Sequence, residues 1–455
     1  MTVGRIAVAA KGSLSGVSPE EPITCICTDT RRIEKGCAFV AIKGERFDGH
    51  DFIMKAIESG AVCAVSEREL EGCPCVIVDD TAKALLNIAS DYRNGFDIKL
   101  VGVTGSVGKT TTKEMIALAL SAGMSTLRTE GNLNNEIGLP ITLFRLDSTF
   151  RAAVIEMGMS HFGEISRLSA CAAPDVCVIT NIGFSHIENL GSQEGILKAK
   201  LEILEGASAD APLIVNGDDL LLAPLKDSIT DRPVLTFATD NPSADFRAVD
   251  IKADETSTSF AVVYGSGRTE IKLPCIGAHN ILNALAAFAV GTVCGVPAEK
   301  ISEGLASYRT VGMRQRIERR GGQTLFIDCY NSSPTAAEAA IDMLCSLTPT
   351  GKGRRCAVLA DMLELGAMSK ELHMRVGEYA AKSGIDKLAC YGSDAKYIAD
   401  RAEEFGLHAG FTSDKDMLVE YLRGMLTEGD VVLIKGSRGM RLEEIIDAVW
   451  GESDK

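Results

Sequence analysis

Short apolar runs and amphipathic stretches alternate along almost the whole chain. The runs Cys37–Ile42, Val62–Ser66 and Cys75–Val78 have strand length, and a helix-like stretch spans Phe52–Ser59. From Lys99 the alternation becomes regular: an apolar run Lys99–Thr104, a glycine-rich turn, then a helical pattern over Thr111–Ala122. Further strands are expected at Ala152–Glu156, Val176–Asn181 and Pro212–Asn216, with helical stretches between them. Strands separated by helices argue for a mostly parallel α/β sheet. Asp245–Leu273 reads as a β-rich insertion, and the Ala- and Leu-rich run His279–Thr292 as a strong helix. A third segment repeats the doubly wound texture, with strands at Thr324–Asp328, Cys356–Ala360, Lys387–Tyr391 and Val431–Lys435. Helices are expected there over Thr335–Leu347 and Glu371–Ser383.

These textures divide the 455 residues into three expected domains, 1–97, 98–310 and 311–455. That division agrees with roughly 150 residues per domain. The 47 basic and 62 acidic side chains give a net charge of −15. So acidic a chain lacks the basic face of a general nucleic-acid binder, although a local positive pocket can still hold small anions. The 14 cysteines are scattered, and the close pairs Cys25/Cys27 and Cys73/Cys75 lack the C-x-x-C spacing of a zinc site. No secretory signal opens the chain, and apolar runs such as Ile281–Val290 fall short of the roughly 18 residues a membrane span needs. The expectation is a soluble, cytoplasmic, monomeric protein with reduced cysteines and no membrane insertion.

The strongest local signal is Thr104-Gly-Ser-Val-Gly-Lys-Thr110, where a strand feeds a glycine turn and a helix. Gly105, Ser106 and Gly108 let backbone N–H groups approach phosphate oxygens, and the helix N-terminus adds partial positive charge. Lys109 would reach the β- and γ-phosphates of ATP, the Thr110 hydroxyl would hold Mg²⁺, and Thr111 completes the turn. The strict G-x-x-x-x-G-K-[ST] pattern is broken, because position 103 is Val103 and Gly102 stands one residue early. Glu156 ends an apolar strand and would supply the acid of the metal site. His186, in Asn181-Ile-Gly-Phe-Ser-His186, follows another strand and would share that sheet edge, with Lys198 and Lys200 on a helix-like stretch nearby.

Taken in order, these motifs resemble the Mur ligase family, the ATP-dependent amide-bond-forming enzymes of peptidoglycan precursor synthesis. The segments Asp29-Thr-Arg31, Ala41-Ile-Lys-Gly44 and Asp48-Gly-His50 are similar to the family's uridine-nucleotide domain. Gly131-Asn-Leu-Asn-Asn-Glu-Ile-Gly-Leu-Pro140, Glu156-Met-Gly158 and Asn181…His186 are similar to its central ATPase domain. Asp328-Cys-Tyr-Asn331, Ala360-Asp-Met-Leu-Glu-Leu-Gly366 and Ile434-Lys-Gly-Ser-Arg438 resemble the branch that adds D-alanyl-D-alanine. Ser332-Ser333 replaces a usual Ala-Asn, and Ala360 a usual Gly.

The resemblance implies an α/β fold of three domains. A smaller N-terminal uridine-nucleotide domain precedes a central parallel-sheet ATPase domain of the phosphate-loop type and a Rossmann-like C-terminal domain. It implies that ATP and Mg²⁺ activate a UDP-N-acetylmuramoyl-tripeptide as an acyl phosphate, which D-alanyl-D-alanine then attacks. Thr30, Arg31, Gly44, Asn132, Asn134 and Asn135 would meet the uridine-linked substrate. Lys435, Ser437 and Arg438 would offer donors to a substrate carboxylate. Asn280, Arg314, Asp328 and Asn331 would contact the adenine nucleotide, with Arg316 the lesser alternative to Arg314. A first metal would lie on Thr110 and Glu156, a second on His186 and Lys200. Lys200 would be either carboxylated by CO₂ into an oxygen ligand, which the resemblance favours, or a cation on substrate phosphate; Lys198 is the competing lysine. The three ligands, each on a different domain, imply hinge closure around the reaction centre. A sibling ligase adding lysine or diaminopimelate, or a catalytically silent ATP-binding homologue, stays open as an alternative.

Overall fold

The three textures fold as three helix-flanked sheets in the computed structural model, which describes residues 1–44, 47–310 and 312–451. The first sheet holds β1 (Ser13–Ser15), β2 (Ile26–Cys27), β3 (Ala38–Val40), β4 (Cys63–Ser66) and β5 (Cys75–Ile77), in the order β1-β5-β4-β3-β2. β1 and β2 have three and two residues and no fully buried side chain, so they leave no apolar run to read. The helices Val3–Ala10 and Thr81–Arg93 close one face through Val3, Ile6, Leu85 and Ile88.

The second sheet comprises β6 (Lys99–Thr104), β7 (Thr126–Arg128), β8 (Ala152–Glu156), β9 (Val176–Ile179), β10 (Leu213–Asn216), β11 (Val234–Ala238), β12 (Phe246–Ala253), β13 (Thr258–Tyr264) and β14 (Gly267–Leu273). Their order is β14-β13-β12-β11-β10-β9-β6-β8-β7. β6, β8 and β9 are buried on both faces, which is why they read as continuous apolar runs instead of alternating ones. The expected insertion Asp245–Leu273 proves to be an extension of this sheet. β12 pairs in parallel with β11, setting Phe246 opposite Phe237, and β13 and β14 follow antiparallel. The helix Ala278–Val293 is apolar on nearly every side because it is sunk against this sheet.

The third sheet has β15 (Arg316–Arg320), β16 (Gln323–Asp328), β17 (Arg355–Ala360), β18 (Lys387–Tyr391), β19 (Ala409–Thr412) and β20 (Val431–Lys435), in the order β15-β16-β20-β17-β18-β19. Only β15 runs antiparallel, and β20, the last to be made, lies between β16 and β17. That register sets Asp328 beside Lys435 at the carboxyl ends, where doubly wound sheets place ligands.

One apolar cluster continues from Ile182 and Ile187 of the second unit into Ala337 and Ile341 of the third, so the two are packed together. The expected boundary at Val311 lies outside the described residues. All 14 cysteines are free, and the Cys73 and Cys75 sulfurs stand 3.6 Å apart. No helix among the described residues is long and apolar enough to cross a membrane.

Candidate active site

β6 ends at Thr104 and the chain turns through Gly105, whose φ of 151° belongs to glycine. A Cβ there would collide with Thr180 Oγ1, and one at Gly108 (φ 84°) would stand 2.8 Å from Asn283 Oδ1. The loop is stiffened from β9's side. Asn181 accepts the Ser106 N–H on its carbonyl (3.1 Å) and the Val107 N–H on Oδ1 (2.8 Å), while Gly183 N–H donates to Ser106 Oγ (2.8 Å). The helix Lys109–Ser121 that follows has no side-chain cap, so its first N–H groups remain available to an anion. Gly105→Ala should cost about 2 kcal/mol or more through strain and overlap. Thermal unfolding with and without ADP checks this, and an unshifted midpoint would refute it.

Charge gathers above the loop. Lys109 Nζ donates to the Gly105 carbonyl at 2.8 Å and more weakly to that of Ser106. Burial draws its pKa down, Glu156 draws it back up, and Arg314 lowers it again. Glu156 is 1% exposed at the end of β8; Oε1 accepts from Asn134 Nδ2 at 2.8 Å, whereas Oε2 is buried without a partner. An orphaned carboxylate oxygen beside the buried Thr110 hydroxyl suits a hard divalent cation, so these two residues fit Mg²⁺. Among the described residues no three His, Cys, Asp or Glu side chains converge on one point, so such a cation would share its shell with phosphate oxygens.

Lys200, on the helix Gln193–Leu201, is 2% exposed. Burial first, and Lys109 second, push its pKa well below the usual lysine range. Lys198 instead faces solvent, 5.8 Å from the Phe162 ring. His186 follows β9 with a φ of 64°, and its Nδ1 faces Glu364 Oε2 at 2.5 Å as an ion pair.

The opposite wall belongs to the third unit, and a cavity of about 610 Å³ lies between them. Arg314 stacks 3.9 Å over the Tyr330 ring, and both line this cavity with Asp328 and Asn331. Arg316 points elsewhere and pairs with Glu318. Lys435 is 2% exposed and spent inside the protein, 2.9 Å from Asp328 Oδ2 and donating to the Asn331 carbonyl at 2.5 Å, so it braces those two residues. Ser437 and Arg438 do not line the cavity. Ser437 Oγ accepts from Leu363 N–H (3.0 Å), and Arg438 pairs with Glu443 at 2.8 Å. Asn280 is also withdrawn, 1% exposed, donating to the Ile276 carbonyl (2.8 Å) and Gln315 Oε1 (2.9 Å).

Asn132, Asn134 and Asn135 line the cavity, Asn135 Oδ1 also accepting from Gly138 N–H at 2.8 Å. Thr30 and Arg31 form a turn elsewhere, in the first unit, where a two-pronged bond from Arg31 holds the Asp29 carboxyl down at about 2. Gly44 donates to the Phe47 carbonyl (2.9 Å) next to residues 45–46, which lie outside the described residues. The sequence reading missed Asn283, Gln315, Tyr330 and Glu364. Asn283 was legible in principle, since Asn280 and Asn283 are the two amides of an otherwise apolar helix. Tyr330 and Glu364 fell within quoted motifs without being singled out, and Gln315 left no periodic or motif signal.

Family models match along the chain in the same order as the three sheets. The Mur ligase family catalytic domain matches residues 22–93, the Mur ligase middle domain 103–291, and the Mur ligase glutamate ligase domain 315–438. A UDP-N-acetylmuramoyl-tripeptide–D-alanyl-D-alanine ligase of Bacillus subtilis is 39% identical, covering 98% of this chain and 97% of its own. The enzyme of the same name from Escherichia coli is 36% identical over 99% and 98%. Among solved structures, MurF from Acinetobacter baumannii superposes with a TM-score of 0.91 at 30% identity, over 98% of both chains. MurF ligase from Thermotoga maritima, solved in complex with ADP, gives 0.83 at 30% identity over 94% of this chain and 97% of that one. From its first sheet to its last, the chain belongs to the Mur ligase family.

Proposed function

We propose that this protein is an ATP-dependent ligase that joins D-alanyl-D-alanine to UDP-N-acetylmuramoyl-tripeptide, giving the pentapeptide precursor of peptidoglycan. The observation that carries this reading is the grouping of Lys109 and Arg314 about Glu156, whose Oε2 is orphaned, in a cavity walled by two domains. Two cations from two domains facing one cleft suit a polyanion, and the relatives' names supply the rest.

In the first step a substrate carboxylate oxygen bonds to the γ-phosphorus as the bond to ADP breaks. In the second, the dipeptide amine bonds to the activated carbonyl carbon, loses a proton, and inorganic phosphate leaves. The main obstacle is bringing a carboxylate up to a polyanion. Lys109 and the free N–H groups at the start of its helix hold the nucleotide phosphates, and Arg314 reaches them from the other domain as a two-pronged donor. Thr110 and Glu156 would hold Mg²⁺, which supplies charge neutralisation at the transferring phosphoryl group. His186 and Lys200 would hold a second cation, Lys200 as its carbamate. Asp328 and Asn331, braced by Lys435, face the nucleoside end. Thr30, Arg31 and Gly44 would take the uridine nucleotide in the first domain. The protein would work in the cytoplasm as a monomer, domains 1–97, 98–310 and 311–455 each meeting one ligand.

Phosphate release from ATP, measured with UDP-N-acetylmuramoyl-tripeptide and a varied amine, tests the proposal. Release should require D-alanyl-D-alanine and stay at background with D-alanine, L-lysine, diaminopimelate or no amine. Release with lysine or diaminopimelate on the dipeptide precursor would instead make this a sibling ligase.

A further inference from the structure

Across the cleft from the phosphate loop, the C-terminal domain brings a single carboxylate into contact with the central domain. Glu364 Oε2 lies 2.5 Å from His186 Nδ1. Glu364 belongs to the loop after β17, and that loop is anchored from several directions. Asp361, 5% exposed, accepts the N–H groups of Ser393 (2.8 Å), Asp394 (3.0 Å) and Ala395 (2.6 Å). His373 Nε2 accepts from Met362 N–H at 3.0 Å, and Ser437 Oγ from Leu363 N–H at 3.0 Å. The carboxylate is therefore presented from a fixed base.

Both partners also adopt the left-handed backbone, His186 at φ 64° and Glu364 at φ 63°. Residues other than glycine hold that conformation only where their surroundings impose it, and such places cluster at functional sites. Gly366 (φ 52°) packs against Glu188, two residues beyond His186, so closely that a Cβ would stand 2.9 Å from Glu188 Cγ. The loop is shaped to sit on the His186 segment.

We propose that Glu364 is a positioning residue for the cation site at His186, delivered there when the C-terminal domain closes. The inference rests on the reading of His186 as a metal ligand. An imidazole that ligates through one ring nitrogen is generally fixed by a carboxylate or carbonyl on the other. With Nδ1–H committed to Glu364, the neutral ring keeps its lone pair on Nε2, the ligating atom. The two residues come from different domains, so the imidazole is oriented only when the domains meet. Cation binding at this site and domain closure then become one event.

The test is a Mn²⁺ titration of the full-length protein with a non-hydrolysable ATP analogue, bound ions being counted by electron paramagnetic resonance. In Glu364→Ala, and in Glu364→Met, which keeps the bulk without an acceptor, the weaker Mn²⁺ should lose about 10- to 100-fold in affinity. The tighter Mn²⁺ should be unchanged. Glu364→Gln, whose carbonyl still accepts from Nδ1–H, should stay within a few-fold of the parent. Unchanged affinity for both ions in the Ala and Met variants, with one ion lost in His186→Ala, would overturn this inference alone. Two unchanged ions in His186→Ala would overturn the metal reading of His186 and the inference with it.

Discussion

Lys109→Met should lower kcat for phosphate release by about 10³-fold, equivalent to about 4 kcal/mol of transition-state stabilisation. Methionine approaches lysine in bulk, so the loop and helix should fold as before and only the ammonium is lost. That ammonium is held at the loop by two carbonyls, between Glu156 and Arg314, where the transferring phosphoryl group would pass. Single-turnover measurements at saturating ATP separate the two parts of the effect. A fall confined to KM would mean that Lys109 binds the nucleotide without assisting transfer. A change of less than tenfold in both constants would remove it from the reaction.

Lys200→Ala should be nearly as damaging, with a loss of about 10³-fold. Burial lowers the side chain's pKa well below the usual lysine range, which raises the share of neutral amine, and only the neutral amine attacks CO₂. Carboxylation would reverse the local electrostatics: the repulsion from Lys109 becomes attraction, and an oxygen ligand replaces a cation. Acidification should release the CO₂ as the amine regains its proton. Carbon-13 bicarbonate should therefore give a carbamate resonance in the parent protein that is absent from Lys200→Ala, and short carboxylic acids should partly restore the variant's activity. Full activity in Lys200→Ala would end the assignment. Full loss without a carbamate signal in the parent would leave Lys200 acting as a cation.

What the sequence disclosed, and what it withheld, follows from how each feature is encoded. The strands β6, β8, β9, β16, β17, β18 and β20 were legible because burial on both faces demands unbroken apolar runs. The phosphate loop was legible because glycine is compulsory where Thr180 and Asn283 press against the backbone. The continuation of the second sheet through β12 was not, since strand pairing is a matter of register between distant segments and not of composition. Side-chain allegiance was the least legible. Lys435 reads from sequence as a donor for substrate; its pairing with the aspartate on the neighbouring strand, which the sequence does not announce, holds it at the cavity wall. Asn280 and Asn283 differ by less than one helical turn, and that turn decides which faces the cavity and which ties down Gln315. Glu364 stood inside a recognisable motif, but its contact was not legible because its partner lies in another domain.

The placement of β20 bears on how the protein is made. The strand that completes the middle of the third sheet follows the other five in the chain, so the facing edges of β16 and β17 wait unpaired until Val431–Lys435 is made. During that interval the first two domains can already have folded, because domains fold as units in order of synthesis. The nucleotide cleft, however, lacks a wall until Val431–Lys435 slides between its neighbours and sets Lys435 against Asp328. A nascent or truncated chain would thus possess the phosphate loop without the residues that oppose it.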